Sequence, residues 1–275
     1  MTKKVVSIVG ARPQFVKLGP LSKQLRQSFH EVIVHTGQHY DQNLSDRFFN
    51  DLDIPEPDHH LGVGSAGHAV QTARMLEKLE PLLLAEKPDM VVVFGDTNST
   101  LAGALAAVKV HLPLLHVEAG LRSFNRGMPE EINRIVTDHI ADHLFAPTQT
   151  AMDNLNREGL GNRSSLTGDI MADAILDNVR TAIRGSGVLD TLELRESRFH
   201  LLTLHRPSNV DDPVQLQAII VGIGKLDMPV VWPIHPRTEK MLRQFNPDLP
   251  ENIRIIRPQG YLDFIRLQSA ASKIL

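Results

Sequence analysis

Residues 116–134 read HVEAGLRSFNRGMPEEINR, and this stretch decides the fold class. An apolar run, Leu112 to Val117, ends on a carboxylate, Glu118. Ala119-Gly120 then turn the chain, and Glu130-Glu131 follow Pro129 at a helix start. The same arrangement occurs upstream in MVVVFGDTNST (90–100), where an apolar run ends on Asp96 and Thr97, Asn98 and Ser99 stand ready to cap a helix. Short apolar runs followed by helices are the mark of buried parallel strands. Acids at the carboxyl ends of neighbouring parallel strands stand where open α/β sheets place their ligands. Converging carboxylates with His116 and Arg122 nearby suit proton transfer on a small molecule.

The alternation extends in both directions. Strands are predicted at Val5–Val9, Val32–His35, Met90–Phe94, Leu114–Val117 and His143–Ala146, with helices near Phe15–Gln27, Ala69–Glu86, Leu101–Lys109 and Glu130–Ile140. After Gly168 the pattern restarts. A helix near Met171–Ile183 is followed by a polar linker, 184–196, then strands at His200–Leu204, Val230–Trp232 and Ile253–Ile256 and helices near Pro213–Lys225 and Thr238–Phe245. Two α/β domains facing a cleft are expected, 1–170 and 171–275. Lys273-Ile274-Leu275 looks like the opening of a further strand, so the chain reads as truncated and its second domain as incomplete.

Composition narrows the function. With 275 residues the chain suits two cores, and 42% hydrophobic with 22% charged residues is ordinary for a globular protein. A formal charge of −3 offers no basic field for nucleic acid. Cysteine is absent, which excludes disulfides and thiolate chemistry and fits a cytoplasmic location. The apolar stretch Val5 to Val9 is too short for a signal segment or a membrane span.

Several side chains carry candidate chemistry. In VGARPQFVKLGP (9–20), Arg12 and Lys17 sit around a helix N-terminus, where they suit a diphosphate or serve as solvated helix charges. Asp96 is either a helix cap or an acid/base group. Glu118 follows a buried strand and needs a partner, for which His116 and Arg122 are the near candidates. Glu130 and Glu131 either act chemically or favour the helix dipole. In TLHRPSNVDD (203–212), His205 and Arg206 end a strand and suit an anionic leaving group, as do His235 and Arg237 in WPIHPRTEKM (232–241). Gln259, Tyr261 and Phe264 could hold a base, although Tyr261 and Phe264 also read as helix-face packing. His139 and His143 have a zinc-like spacing without an adjoining Glu, and His59-His60 reads as exposed loop.

Together these segments resemble the non-hydrolysing UDP-N-acetylglucosamine 2-epimerase family. The resemblance is carried, in order, by GARPQFVKLGPL (10–21), TGQHYDQNLSDRFF (36–49), KPDMVVVFGDTNSTLAGALAA (87–107), HVEAGLRS (116–123), MPEEINR (128–134), FAPT (145–148), TGD (167–169), TLHRPSN (203–209) and the PIHPRT and PQGYLDF segments. It implies two Rossmann-like domains of the GT-B, UDP-glycosyltransferase/glycogen phosphorylase type, with a UDP-sugar in the cleft. It also implies the reaction: a base removes the C2 proton as UDP leaves C1, and UDP returns to the 2-acetamidoglucal after reprotonation on the other face. No cofactor or metal is implied, and a homodimer supplying cell-envelope polysaccharide precursors is.

Carried over by position, Asp96, Glu118, Glu130 and His205 match the family's catalytic groups. Arg12 and Lys17 match its diphosphate- and substrate-side residues, Gln259 and Phe264 match its uracil contacts, and Arg122, Arg206 and His235 are further substrate-binding candidates. Regulated bacterial members carry Gln-His-Arg where this chain has Gln38-His39-Tyr40, and His-x-Asn-Pro where it has His235-Pro236-Arg237. Arg74 matches a position near their allosteric site. The tyrosine variant leans toward epimerases of modified sugars such as 2,3-diacetamido uronic acids. A hydrolysing epimerase, a glycosyltransferase and a truncated, catalytically silent UDP-sugar-binding chain are the remaining alternatives.

Overall fold

The computed structural model describes residues 2–38, Phe49 and 54–275; residues 39–48 of the TGQHYDQNLSDRFF segment, including His39-Tyr40, lie outside the described residues. Contacts divide the chain into two compact units, 1–175 and 176–275, five residues beyond the expected division and inside a helix.

In the first unit, strands β1 (Lys4–Val9), β2 (His30–His35), β3 (His59–His60), β4 (Met90–Phe94), β5 (Leu114–Val117), β6 (His143–Ala146) and β7 (Ser164–Leu166) form one parallel sheet. Their order is β3-β2-β1-β4-β5-β6-β7. The order reverses at β1, so the carboxyl ends of β1 and β4 diverge and open the crevice in which doubly wound sheets bind ligands. Helices α1 (Arg12–Leu25), α2 (His68–Glu86), α3 (Asn98–Lys109), α4 (Pro129–Ile140) and α5 (Gln149–Arg157) lie between its strands, and α6 (Ile170–Gly185) follows β7 and leads into the second unit. Alternate residues of the central strands pack under α2 and α3: Val6, Ile8, Val91 and Val93 join Met75, Leu79, Leu83 and Ala102 in one core.

Two further strands, β3 and β7, lengthen the sheet beyond expectation. Each has only two or three residues and lacks an apolar run, so neither leaves a periodic signal. His59-His60 is thus edge strand rather than free loop, and the His60 ring stacks on His35 with centroids 4.5 Å apart.

The second unit holds β8 (His200–Leu201), β9 (Val230–Pro233), β10 (Ile253–Ile256) and β11 (Lys273–Ile274), parallel in the order β10-β9-β8-β11. Lys273-Ile274 pairs with β8 and brings the sheet to four strands. The segment 184–196 is not a bare linker: α7 (Val188–Thr191) lies within it and buries Val188 and Leu189 against Leu201 and Leu267. Helices α8 (Pro207–Val210), α9 (Pro213–Ile223), α10 (Pro236–Phe245) and α11 (Tyr261–Ala270) complete the unit around a fully buried Trp232. No helix among the described residues is long and apolar enough to cross a membrane.

Candidate active site

The site grows from the turns that leave β1, β4 and β5. Gly10 ends β1 against α3, where a Cβ would lie 2.0 Å from Thr36 Oγ1 and 2.2 Å from Ser99 Oγ. Only glycine allows that approach. The buried Gln14 side chain ties two turns together: its Oε1 accepts from Gly10 N (2.8 Å), and its Nε2 donates to Phe94 O (2.9 Å). The ends of β1 and β4 are therefore held as one piece.

Asp96 follows Gly95, which has φ 61°. The cap of α3 is Thr97, whose side chain accepts from Thr100 N, so the capping alternative for Asp96 fails. The Asp96 carboxylate instead accepts from Arg134 of α4, and Asn133 Nδ2 donates to the Asp96 carbonyl at 2.9 Å.

Glu118 has φ 69°, a left-handed conformation uncommon for a side chain of its size. Its Oε1 lies 2.5 Å from Lys17 Nζ of α1, with 17% of the Glu118 side chain and 7% of the Lys17 side chain exposed. The pair lies over Gly95, where a Cβ would stand 3.0 Å from Lys17 Nζ and 3.4 Å from Glu118 Oε1.

The partners suggested by sequence go elsewhere. His116 Nδ1 lies 2.7 Å from Asp138 Oδ1, and its Nε2 lies 2.7 Å from Gly95 O. The Arg122 guanidinium donates to Asp138 and, with two nitrogens, to Glu158, and its side chain is only 1% exposed. Arg122 is thus spent inside the unit, and its expected substrate contact is replaced by a clamp between α4 and α5. Burial works to raise the Asp138 carboxyl, but His116 and Arg122 outweigh it and hold the group low. His139, at the surface, lies 3.3 Å from Glu158.

The Glu130-Glu131 pair divides. Glu131 is buried and accepts from Ser123 N, Ser123 Oγ and Phe124 N at 2.9 Å each and from Arg134 at 2.6 Å. Burial pushes its carboxyl up, and these bonds overcome that and bring it to about 2. Glu130 is half-buried and has no hydrogen-bond or ion-pair partner among the described residues.

In the second unit, His205 and Arg206 are exposed beyond β8, which pairs as two residues rather than the expected five. The ring of His205 lies 5.4 Å from that of His235. His235 caps α10 by accepting from Arg237 N at 3.1 Å, and Arg237 forms a two-pronged pair with Asp211. These groups gather beside β8, where the strand order of this sheet reverses. Gln259 lines a cavity of about 520 Å³ with Val188, Leu192, Arg257 and Asp263. Phe264 packs against the apolar cluster of Val188, Phe199 and Leu267, which favours the packing alternative for this ring. Tyr261 is half-buried, and burial raises its hydroxyl against an opposing hydrogen bond with Asn178.

Sequence reading missed Arg134, Asn133 and Asp138 as site-building residues, and for Glu131 weighed only direct chemistry or the helix dipole. Arg134 carried a signal, three residues after Glu131 on one helix face.

A family profile described as UDP-N-acetylglucosamine 2-epimerase matches residues 23–275. The chain belongs to this family. A UDP-N-acetylglucosamine 2-epimerase homolog of Methanococcus maripaludis is 47% identical over 99% of this chain and 78% of its own length. The UDP-2,3-diacetamido-2,3-dideoxy-D-glucuronate 2-epimerase of Pseudomonas aeruginosa is 45% identical over 99% of this chain and 77% of its own. The crystal structure of Methanocaldococcus jannaschii UDP-GlcNAc 2-epimerase, in complex with UDP-GlcNAc and UDP, superposes with a TM-score of 0.84 at 44% identity. That match covers 98% of this chain and 78% of the other. The epimerase fold thus has two Rossmann-like units here, each with its strand order reversing beside its candidate residues.

Proposed function

We propose that this chain interconverts UDP-GlcNAc and UDP-ManNAc by eliminating UDP across C1–C2 and adding it back. The observation that carries the reading is the set of acids at the crevice of the first sheet: Asp96 bound to Arg134, Glu118 bound to Lys17, and Glu130 uncommitted. Inversion at C2 needs a base on one face of the sugar and an acid on the other. Two carboxylates paired with cations and a third without a side-chain partner among the described residues give the three acids different surroundings.

In this reading Asp96, Glu118 and Glu130 handle the C2 proton. Arg12 lies at the exposed start of α1 and receives diphosphate charge together with Lys17. His205, Arg206 and His235 stabilise departing UDP, since imidazoles and a guanidinium beside a strand end suit a leaving diphosphate. Gln259 meets the uracil. The protein works as a cytoplasmic homodimer that supplies a polysaccharide precursor.

A second reading, a 2-epimerase of a 2,3-diacetamido uronic sugar, rests on the 45% identity to the Pseudomonas enzyme, equal to the 45% identity to the Methanocaldococcus jannaschii UDP-N-acetylglucosamine 2-epimerase. Proton NMR in D₂O tests both. Deuterium at C2 with a new manno signal from UDP-GlcNAc supports the first. Inertness toward UDP-GlcNAc with turnover of the diacetamido uronate selects the second. Free sugar would replace either with a hydrolysing reaction.

A further inference from the structure

We propose that Glu131 and Arg134 form a positioning relay that locks the Asp96 carboxylate to the loop bearing Phe124. The proposal rests on the epimerase reading in one respect, that Asp96 acts on the sugar.

Glu131 cannot serve the reaction directly. Its two oxygens accept four hydrogen bonds, from Ser123 N, Ser123 Oγ, Phe124 N and Arg134, and the residue is 1% exposed. A buried carboxylate so saturated is an acceptor hub. Arg134 uses one terminal nitrogen on this hub and the other on Asp96 Oδ2. A planar guanidinium fork can join two carboxylates in this way, whereas an ammonium is a single point charge. One helix turn places both residues on the same face of α4, and the residue preceding Arg134, Asn133, holds the Asp96 carbonyl. Helix α4 therefore grips residue 96 twice, at its carboxylate and at its backbone.

The other end of the relay is under strain. Phe124 has φ 56° and is 74% exposed, a costly arrangement for an aromatic residue. Its backbone is tied there by the bond from Phe124 N to Glu131. The loop 123–128 leaves the same end of the sheet as Glu118, so its conformation and the aim of Asp96 are set through one carboxylate and one guanidinium. Movement of the loop reaches Asp96 without any change in the sheet.

Three variants and two readouts test the relay. Arg134→Lys keeps the charge but cannot bridge; Arg134→Ala opens a hole; Glu131→Gln removes one acceptor. Turnover of the wild-type substrate should fall at least about 30-fold in Arg134→Lys, with KM within about threefold, because a misaimed acid/base group affects the transition state more than binding. Guanidinium at non-denaturing concentration should restore part of the Arg134→Ala turnover, and sodium chloride at equal ionic strength should not. Amide hydrogen exchange at Ser123 and Phe124 should accelerate about tenfold or more in Glu131→Gln and in Arg134→Lys. Unchanged exchange at residue 124 in folded Arg134→Lys would overturn the relay, as would loss of kcat and KM together without guanidinium rescue. Should the wild-type chain turn over neither UDP-sugar, the functional reading fails, and the exchange measurement alone decides the relay.

Discussion

Lys17 Nζ stands 2.5 Å from Glu118 Oε1, joining residues 101 positions apart in the chain. The contact runs from α1 to the end of β5 and crosses above β4 at Gly95. It gives a half-buried carboxylate a counter-charge that no sequence neighbour supplies.

Glu118→Gln should abolish C2 deuterium exchange, by about 100-fold or more, the usual worth of a positioned acid/base group. UDP affinity should change little, because the carboxylate acts on the sugar. Calorimetry with UDP beside NMR exchange separates the two effects. Retained exchange would make Glu118 a purely structural partner of Lys17.

Gly95→Ala should damage stability and chemistry together. The backbone sits at φ 61°, and the added methyl would meet the Lys17–Glu118 pair. A left-handed alanine costs roughly 1–2 kcal/mol, seen as a lower melting temperature. Turnover should fall further than stability accounts for. A variant with a normal melt and normal turnover would show that the pair tolerates displacement.

Arg122→Lys should lower stability and leave the KM for the UDP-sugar unchanged. The substitution loses the two-pronged bond to Glu158 and loosens the buried Asp138 cluster. Breaking one partner from such a cluster costs on the order of 3 kcal/mol, read by urea unfolding. A raised KM with intact stability would restore the substrate contact inferred from sequence.

Glu131 sets a pH dependence of stability. Its folded carboxyl is depressed from 4.5 to about 2, so the unfolded chain takes up the proton first as pH falls. The stabilisation is complete above about pH 4.5 and is lost as pH falls toward 2, and it amounts to on the order of 3 kcal/mol. Glu131→Gln should therefore be less stable than wild type at pH 7, with the gap closing near pH 2.5. A gap independent of pH would show that packing, not charge, is lost.

Much of the architecture was legible locally. Met90–Phe94, Leu114–Val117, His143–Ala146 and Ile253–Ile256 form strands with the expected bounds, because each is an apolar run closed by turn or polar residues. The edge strands β3 and β7 and the helix Val188–Thr191 were not legible. Each has only two to four residues, too few to repeat a hydrophobic pattern, and is held by pairing or burial against distant residues.

The sequence by itself determined which acids stand at strand ends, since an apolar run that stops at a carboxylate leaves it at the carboxyl end of its strand. It also determined the two α/β repeats. Only the tertiary structure decided which cation each acid meets. His116 and Glu118 are two residues apart and would share a face of a regular strand, but the positive φ of Glu118 breaks the alternation and turns it to Lys17. His116 stays in the strand and faces Asp138. The same holds for the adjacent glutamates, identical in sequence chemistry. Helix geometry buries Glu131 beneath the loop and leaves Glu130 uncommitted, because neighbours on a helix stand about 100° apart and cannot share an environment.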